Sequence, residues 1–131
     1  LYACGIDAFG PVNLITWLKT IPPYWEPLKP LFYTRIGDPE VDTVMLKERS
    51  PINHIDRIKV PLLVVQGAND PRVPKSEASQ IRDALIAAGK EVLYMEFPDE
   101  GHGFAKPENR LKFYAEAEQF LAKHLKGRYE K

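Results

Sequence analysis

The sequence has few of the features that mark disulfide-rich, membrane-spanning or nucleic-acid-binding proteins. Its 131 residues include one cysteine, Cys4, so an internal disulfide is excluded, and with it a disulfide-stapled secreted mini-protein. It has no apolar run of 18 residues, which excludes a transmembrane helix. Lys plus Arg and Asp plus Glu each number 18. This balance removes the electrostatic argument for a nucleic acid or an anionic membrane as partner.

Motifs for metals and cofactors are also missing. The three histidines, His54, His102 and His124, are widely scattered, and there is neither a His-Glu-x-x-His sequence nor a cysteine pair. No glycine pattern that cradles a phosphate occurs, so no metal and no cofactor are expected. We expect His54 to be a loop or capping residue, and His124 to be solvated or to face a helix end. Cys4 is expected to be a small buried residue in a strand.

What the sequence does contain is an alternation of strands and helices. Apolar runs predict strands at 1–6, 62–65 and 92–97, and periodic segments predict helices beginning near Asn13, Asp42, Ser76 and Pro107. Eight of the 12 prolines lie at or before Pro61, and those between 23 and 32 are expected to break any helix there. This order predicts an α/β fold with a parallel sheet flanked by helices on both faces.

Three strands with two open edges would make a poor domain by themselves. We therefore expect residues 1–131 to be the C-terminal portion of a larger sheet, incomplete without upstream strands. The chain opens at Leu1, without an initiator Met, directly in an apolar stretch. The numbering is thus expected to begin inside a longer protein.

Two polar loops follow the second and third predicted strands. Asp70 comes after the strand at 62–65, and His102 comes after the strand at 92–97. Ligands and substrates of open α/β sheets bind outside the carboxyl ends of the strands, and neighbouring ends would bring these two side chains together. An Asp that accepts from one imidazole nitrogen leaves the other nitrogen to act as a general base. Asp70 could instead be only a turn former, and His102 a surface residue between two glycines.

The residues around this pair resemble a known family. Residues 66–74 read Gln-Gly-Ala-Asn-Asp-Pro-Arg-Val-Pro and residues 98–104 read Pro-Asp-Glu-Gly-His-Gly-Phe. These segments resemble the acid and base loops of α/β-hydrolases, in which the triad order is Ser, Asp, His. Within that fold they are most similar to the catalytic domain of the prolyl oligopeptidase family, which includes dipeptidyl and acylaminoacyl peptidases. The similarity covers the chain from about Pro61 to its end and extends back to residues 3–7.

The resemblance implies a serine peptidase that acts on short peptides, with Asp70 as the acid and His102 as the base. It also implies that Arg72 holds a backbone carbonyl of the bound peptide and that Val73 lines the pocket for the residue before the scissile bond. The nucleophile is absent, because none of Ser50, Ser76 and Ser79 lies in Gly-x-Ser-x-Gly. The family places that serine upstream, usually after a β-propeller, so the isolated chain is expected to be inactive.

Other readings stay open. An esterase similar to dienelactone hydrolase would share both loops, and an inactive fragment or an association module is a further alternative. The unpaired first strand is expected either to join the missing upstream part or to form a homo-oligomer. Asp99 and Glu100 are expected to be solvated loop carboxylates. The sequence leaves specificity open, and also the compartment: cytoplasm, periplasm or outside the cell.

Overall fold

The computed structural model describes residues 2–130, which form a three-stranded sheet with helices on both faces. The strands are β1 (Gly5–Ala8), β2 (Leu62–Gly67) and β3 (Val92–Phe97), and they lie in the order β1-β2-β3. Both pairings are parallel, so all three carboxyl ends lie at one edge of the sheet. The predicted parallel sheet is confirmed, and β2 is its central strand.

Helices fill the connections between the strands. The α-helices are α1 (Leu14–Lys19), α2 (Lys29–Arg35), α3 (Thr43–Arg49), α4 (Lys75–Ala87) and α5 (Pro107–Leu125), and 3₁₀ helices span Pro23–Leu28 and Pro51–Arg57. Prolines stand inside the first 3₁₀ helix and at the second position of α2, so the segment is helical but broken, as predicted. Among residues 2–130, no helix is long and apolar enough to cross a membrane.

The central strand separates two hydrophobic cores. Successive side chains of a strand point to opposite faces, so β2 supplies both cores. The core under α5 consists of Leu63, Val65, Met95, Phe97, Ala117 and Phe120. The core under α4 consists of Val12, Val64, Ala78, Ile81 and Leu85. Burial of both sheet faces explains why residues 62–65 of β2 are a continuous apolar run without polar alternation.

The first strand lies later in the chain than predicted. The sequence placed it at 1–6 and ended it at Asp7, whereas β1 spans Gly5–Ala8 and contains Asp7. Pairing with β2 sets these limits: the Gly5 N–H donates to the Pro61 carbonyl at 3.0 Å, and the Phe9 N–H donates to the Val65 carbonyl at 3.0 Å. Leu1 lies outside the described residues.

A buried carboxylate on α4 fixes the start of the proline-rich segment, residues 11–39. Glu77 is 1% exposed, and its Oε2 accepts from the backbone N–H groups of Val12 at 3.1 Å and Asn13 at 2.8 Å. The Asn13 side chain caps α1 by accepting from the N–H groups of Ile15 and Thr16, as the sequence predicted. A buried carboxylate needs hydrogen-bond donors for its oxygens. Because Glu77 finds them at the start of α1, it anchors α1 on α4 and so sets where the following aromatic residues lie.

Candidate active site

The acid loop begins where β2 ends and holds one carboxylate entirely out of solvent. The Asp70 side chain has 0% exposure. Its Oδ1 accepts from the backbone N–H groups of Arg72 at 2.8 Å and Val73 at 3.0 Å, which closes the turn. Its Oδ2 accepts from Gln66 Nε2 at 3.2 Å and contacts His102 Nδ1 at 2.8 Å. Each carboxylate oxygen therefore has two partners, and the orientation of the carboxyl plane is fixed.

The base loop, 98–104, follows β3 and is organised by Glu100. The expectation that Glu100 is a solvated carboxylate is wrong, because the residue is 1% exposed. Its carboxylate accepts from the N–H groups of Ala105 and Lys106, both at 2.9 Å, and from Asn109 Nδ2 at 2.9 Å. Glu100 therefore fixes the entry into α5 from inside the loop. The one signal in the sequence was its position shortly before a helix that begins with proline, where free N–H groups need an acceptor.

The acid and base loops are joined through their backbones. The Ala68 N–H donates to the Phe97 carbonyl at 2.9 Å, and the Asn69 N–H donates to the Glu100 carbonyl at 3.0 Å. At Gly67 a Cβ would lie 2.1 Å from the carbonyl oxygen of Gly101, closer than any side chain tolerates. Glycine is thus required at position 67 for the close approach of the two loops.

This approach brings together Asp70 and His102, which are 32 residues apart in the sequence. The His102 side chain keeps 34% of its surface exposed while its Nδ1 faces the buried carboxylate. The ring of Phe9 lies 5.7 Å from the imidazole, centroid to centroid, and 5.3 Å from the ring of Phe104. Phe9 has a φ of 59°, an uncommon left-handed conformation at the carboxyl end of β1. Phe9 is a residue of this site that was not predicted from the sequence.

The proline-rich segment reaches the acid loop through its tryptophans. Trp17 Nε1 donates to the Arg72 carbonyl at 2.8 Å, and the Arg72 guanidinium carbon lies 5.8 Å from the ring centroid of Trp25. Phe32 packs against both tryptophans, at 6.0 and 5.6 Å between centroids. These aromatic residues therefore pack on each other and also border the candidate site. Val73 is buried, with 4% of its surface exposed. Its role in lining the pocket for the residue before the scissile bond stays a prediction.

The remaining candidate residues lie elsewhere. His54 lies in the 3₁₀ helix Pro51–Arg57, and its ring is hydrogen-bonded to the carbonyl of Glu48 in α3. The His124 side chain is 11% exposed and packs on Phe120 at 4.7 Å between centroids. It is therefore not solvated, and its place in the last turn of α5 fits the alternative that it faces a helix end. Cys4 is half-buried and precedes β1 rather than lying in a strand.

The buried Glu100 carboxylate gives the base loop a pH dependence. The hydrogen bond from Asn109, followed by those from the Lys106 and Ala105 N–H groups, holds the pKa of Glu100 below its usual 4.5, although burial and the charge of Asp99 oppose this. A carboxyl whose pKa is lowered by folding stabilises the fold above its unfolded pKa and loses that contribution as pH falls through the folded value.

Glu100→Gln is therefore expected to lower the melting temperature at pH 7, with a difference from the parent that shrinks below about pH 4.5. Thermal melting of the full-length protein between pH 3.5 and 7 measures this difference. Glu118→Gln, on the exposed side of α5, is the matched control. A constant difference at every pH would show that the Glu100 charge does not stabilise the loop.

The chain as a whole is similar to known peptidases. Residues 1–128 match the model of the prolyl oligopeptidase family. The chain is 52% identical over 131 residues to dipeptidyl aminopeptidase BIII of Pseudoxanthomonas mexicana, which corresponds to 98% of this chain and 19% of that protein. It is 40% identical over 129 residues to dipeptidyl peptidase family member 6 of Caenorhabditis elegans, or 96% of this chain and 17% of that protein.

The fold gives the same result. A solved puromycin-hydrolyzing peptidase of Mycobacterium tuberculosis superposes with a TM-score of 0.85 at 27% identity, over 95% of this chain and 19% of that chain. The chain thus spans about a fifth of the length of the relatives that it matches. The resemblance seen in the two loops and the predicted α/β-hydrolase fold are both confirmed, and the chain belongs to the prolyl oligopeptidase family of peptidases.

Proposed function

We propose that this chain carries the acid and the base of a serine peptidase that releases dipeptides from the N-termini of short peptides. The observation that supports this most directly is the 2.8 Å contact between Asp70 Oδ2 and His102 Nδ1 at neighbouring strand ends. The carboxylate is buried and fully hydrogen-bonded, whereas the imidazole is part-exposed. This asymmetry suits an orienting acid behind a working base, and a turn-forming Asp would not require it.

In the proposed reaction, His102 Nε2 takes the proton from a serine hydroxyl as the serine Oγ attacks the peptide carbonyl. Asp70 accepts from His102 Nδ1–H, which keeps Nε2 free of its proton beforehand and stabilises the imidazolium that forms. His102 then gives that proton to the leaving amine as the C–N bond breaks. A water molecule, deprotonated in turn by His102, releases the acyl group and restores the serine.

The serine must come from outside residues 1–131, because none of the three serines lies in Gly-x-Ser-x-Gly. We propose that the chain is the C-terminal part of a larger catalytic domain whose upstream strands pair with β1. Two observations support this: the relatives are about five times longer, and β1 pairs with β2 on one side within residues 2–130. A groove of about 650 Å³ beside β1, lined in part by Val12, Leu62 and Ile81, offers apolar surface for such neighbours.

The names of two relatives and the residues that border the site support the proposed substrate class. The first two relatives named above are, by their names, a dipeptidyl aminopeptidase and a dipeptidyl peptidase. Arg72 is an exposed residue of the acid loop and its guanidinium lies over the ring of Trp25, so the guanidinium is positioned to donate to a backbone carbonyl of the peptide. A β-propeller in the upstream part would restrict entry to short peptides.

The test compares three fluorogenic or chromogenic substrate classes on the full-length protein: free dipeptidyl amides, N-acylaminoacyl amides and p-nitrophenyl esters. The expected result is the highest kcat/KM for dipeptidyl amides, with complete loss of activity on fluorophosphonate labelling of one serine. A preference for acylated amides would replace the substrate class but keep the triad. Ester hydrolysis without amide hydrolysis would favour the esterase reading, and no labelling would contradict a serine hydrolase.

A further inference from the structure

Gln66 stands in a place where the sequence pattern calls for an apolar residue. It is the fifth residue of β2, is 0% exposed, and follows the buried residues Leu63, Val64 and Val65. A strand covered by helices on both faces is otherwise apolar, because a buried amide gains nothing from burial unless its polar atoms are bonded. The amide of Gln66 is therefore explained by what its atoms contact.

The amide nitrogen of Gln66 faces three acceptors. Nε2 lies 2.9 Å from the Val73 carbonyl, 3.1 Å from the Gly67 carbonyl and 3.2 Å from Asp70 Oδ2. Turning the amide over would set its oxygen against a carboxylate and two carbonyls, so the chemistry of the neighbours fixes its orientation. Among residues 2–130, the buried Oε1 has no hydrogen-bond partner. A buried oxygen without a hydrogen bond costs stability. The orientation that satisfies the N–H groups of Gln66 therefore carries a cost that an apolar residue at this position of the strand would avoid.

The nitrogen connects two parts of the site to the rigid sheet. Within the described part of the chain, 2–130, Asp70 Oδ1 is held only by N–H groups of its own loop, those of Arg72 and Val73. Oδ2, the oxygen that contacts His102, is held from the sheet by Gln66. The bond to the Val73 carbonyl fixes the far end of the same loop. Gln66 is thus the side chain that ties the acid loop to β2.

We propose that Gln66 is a positioning residue that holds the Asp70 carboxylate and its loop in register with His102. The proposal rests on the function proposed above. A donor on Oδ2 shares the negative charge that stabilises the imidazolium, so Gln66 sets both the direction and the strength of the Asp70–His102 interaction.

The other charged groups near the His102 ring are engaged elsewhere. On the base loop, Asp99 and Glu100 bond to Lys106 and Asn109. On β1, the carboxyl of Asp7 packs against Gly10, and on the acid loop the Arg72 guanidinium lies over Trp25. A change in pH dependence on replacing Gln66 is therefore assigned to the Asp70–His102 pair.

The test uses the full-length protein with Gln66→Met, which keeps the length of the side chain and removes the donor. The expected result is a kcat lower by about 10- to 100-fold, by analogy with the loss seen when the hydrogen-bond partner that orients a metal-binding side chain is replaced. The acid limb of the kcat/KM profile is expected to move to higher pH, because the unshared charge of Asp70 holds the imidazolium more tightly. Rates are expressed per serine titrated with fluorophosphonate, so that unfolded molecules are not counted.

Three further variants make the outcome decisive. Gln119→Met, the same change at an exposed site on α5, is expected to behave as the parent protein. Gln66→His retains an N–H donor and is expected to recover part of the lost kcat and the original acid limb. Equal losses for the Met and His variants, or an unmoved acid limb, would overturn the positioning role. Full activity of Asp70→Asn would instead remove the proposed function itself, which separates the two failures.

Discussion

Replacing His102 by alanine in the full-length protein is expected to lower kcat by about 10⁵- to 10⁶-fold, the largest effect of any single change in this chain. The magnitude is the order found when the base of a serine-hydrolase triad is removed. Without the imidazole, nothing at this site takes the serine proton, and the Asp70 carboxylate stays buried behind a void. The measurement is steady-state hydrolysis of the preferred dipeptidyl amide, with KM followed separately.

His54→Ala is the matched control, because the His54 ring is bonded to a backbone carbonyl remote from the two loops. It is expected to leave kcat within about twofold, as surface changes away from special features usually do. Fluorophosphonate should label His102→Ala far more slowly than the parent protein, since the same proton must leave the serine. A His102→Ala protein with a tenth or more of the parent activity would exclude His102 as the base.

The sequence predicted the parts of this molecule that depend on local pattern. The strands 62–65 and 92–97 and the helix beginning at Pro107 lie where their apolar runs and terminal signals put them, because each is buried on the face that the pattern indicates. The predicted position of the first strand, 1–6, was wrong because pairing with β2, and not the apolar run, decides which residues form β1. Pairing is a property of two segments and is not visible in one.

The site shows the same division. The loops that carry Asp70 and His102 were recognisable, because turn residues and family motifs are written locally. Glu100, Glu77 and Gln66 were not, and all three are buried polar side chains whose partners include backbone groups that only the folded chain brings within hydrogen-bond distance. From the sequence alone, a carboxylate or amide is expected to be solvated. It can be buried only where the folded chain provides an N–H or carbonyl group as its hydrogen-bond partner. Sequence patterns therefore found the two groups that are proposed to react and missed the side chains that hold their loops.

Asp70→Asn is expected to lower kcat by about 10⁴-fold, the loss known for the same change in the Ser-His-Asp triad of serine proteases. The asparagine oxygen can still accept from the Arg72 and Val73 N–H groups, so the turn is retained. The amide nitrogen then stands where Oδ2 met two donors, Gln66 Nε2 and His102 Nδ1. His102 must give up its Nδ1 proton to accept from this amide, which leaves Nε2 protonated and unable to take a proton from the serine.

A change of tautomer, and not loss of structure, is thus the expected cause, and two measurements separate them. Asp70→Asn should melt within a few degrees of the parent protein and keep its KM, while kcat alone falls. Asp83→Asn, an exposed carboxylate paired with Arg82 on α4, serves as the control and should retain full activity. If Asp70→Asn loses less than tenfold in kcat, Asp70 does not orient the base, and the 2.8 Å contact with His102 is structural. If kcat falls only together with the melting temperature, the carboxylate maintains the acid loop and not the tautomer.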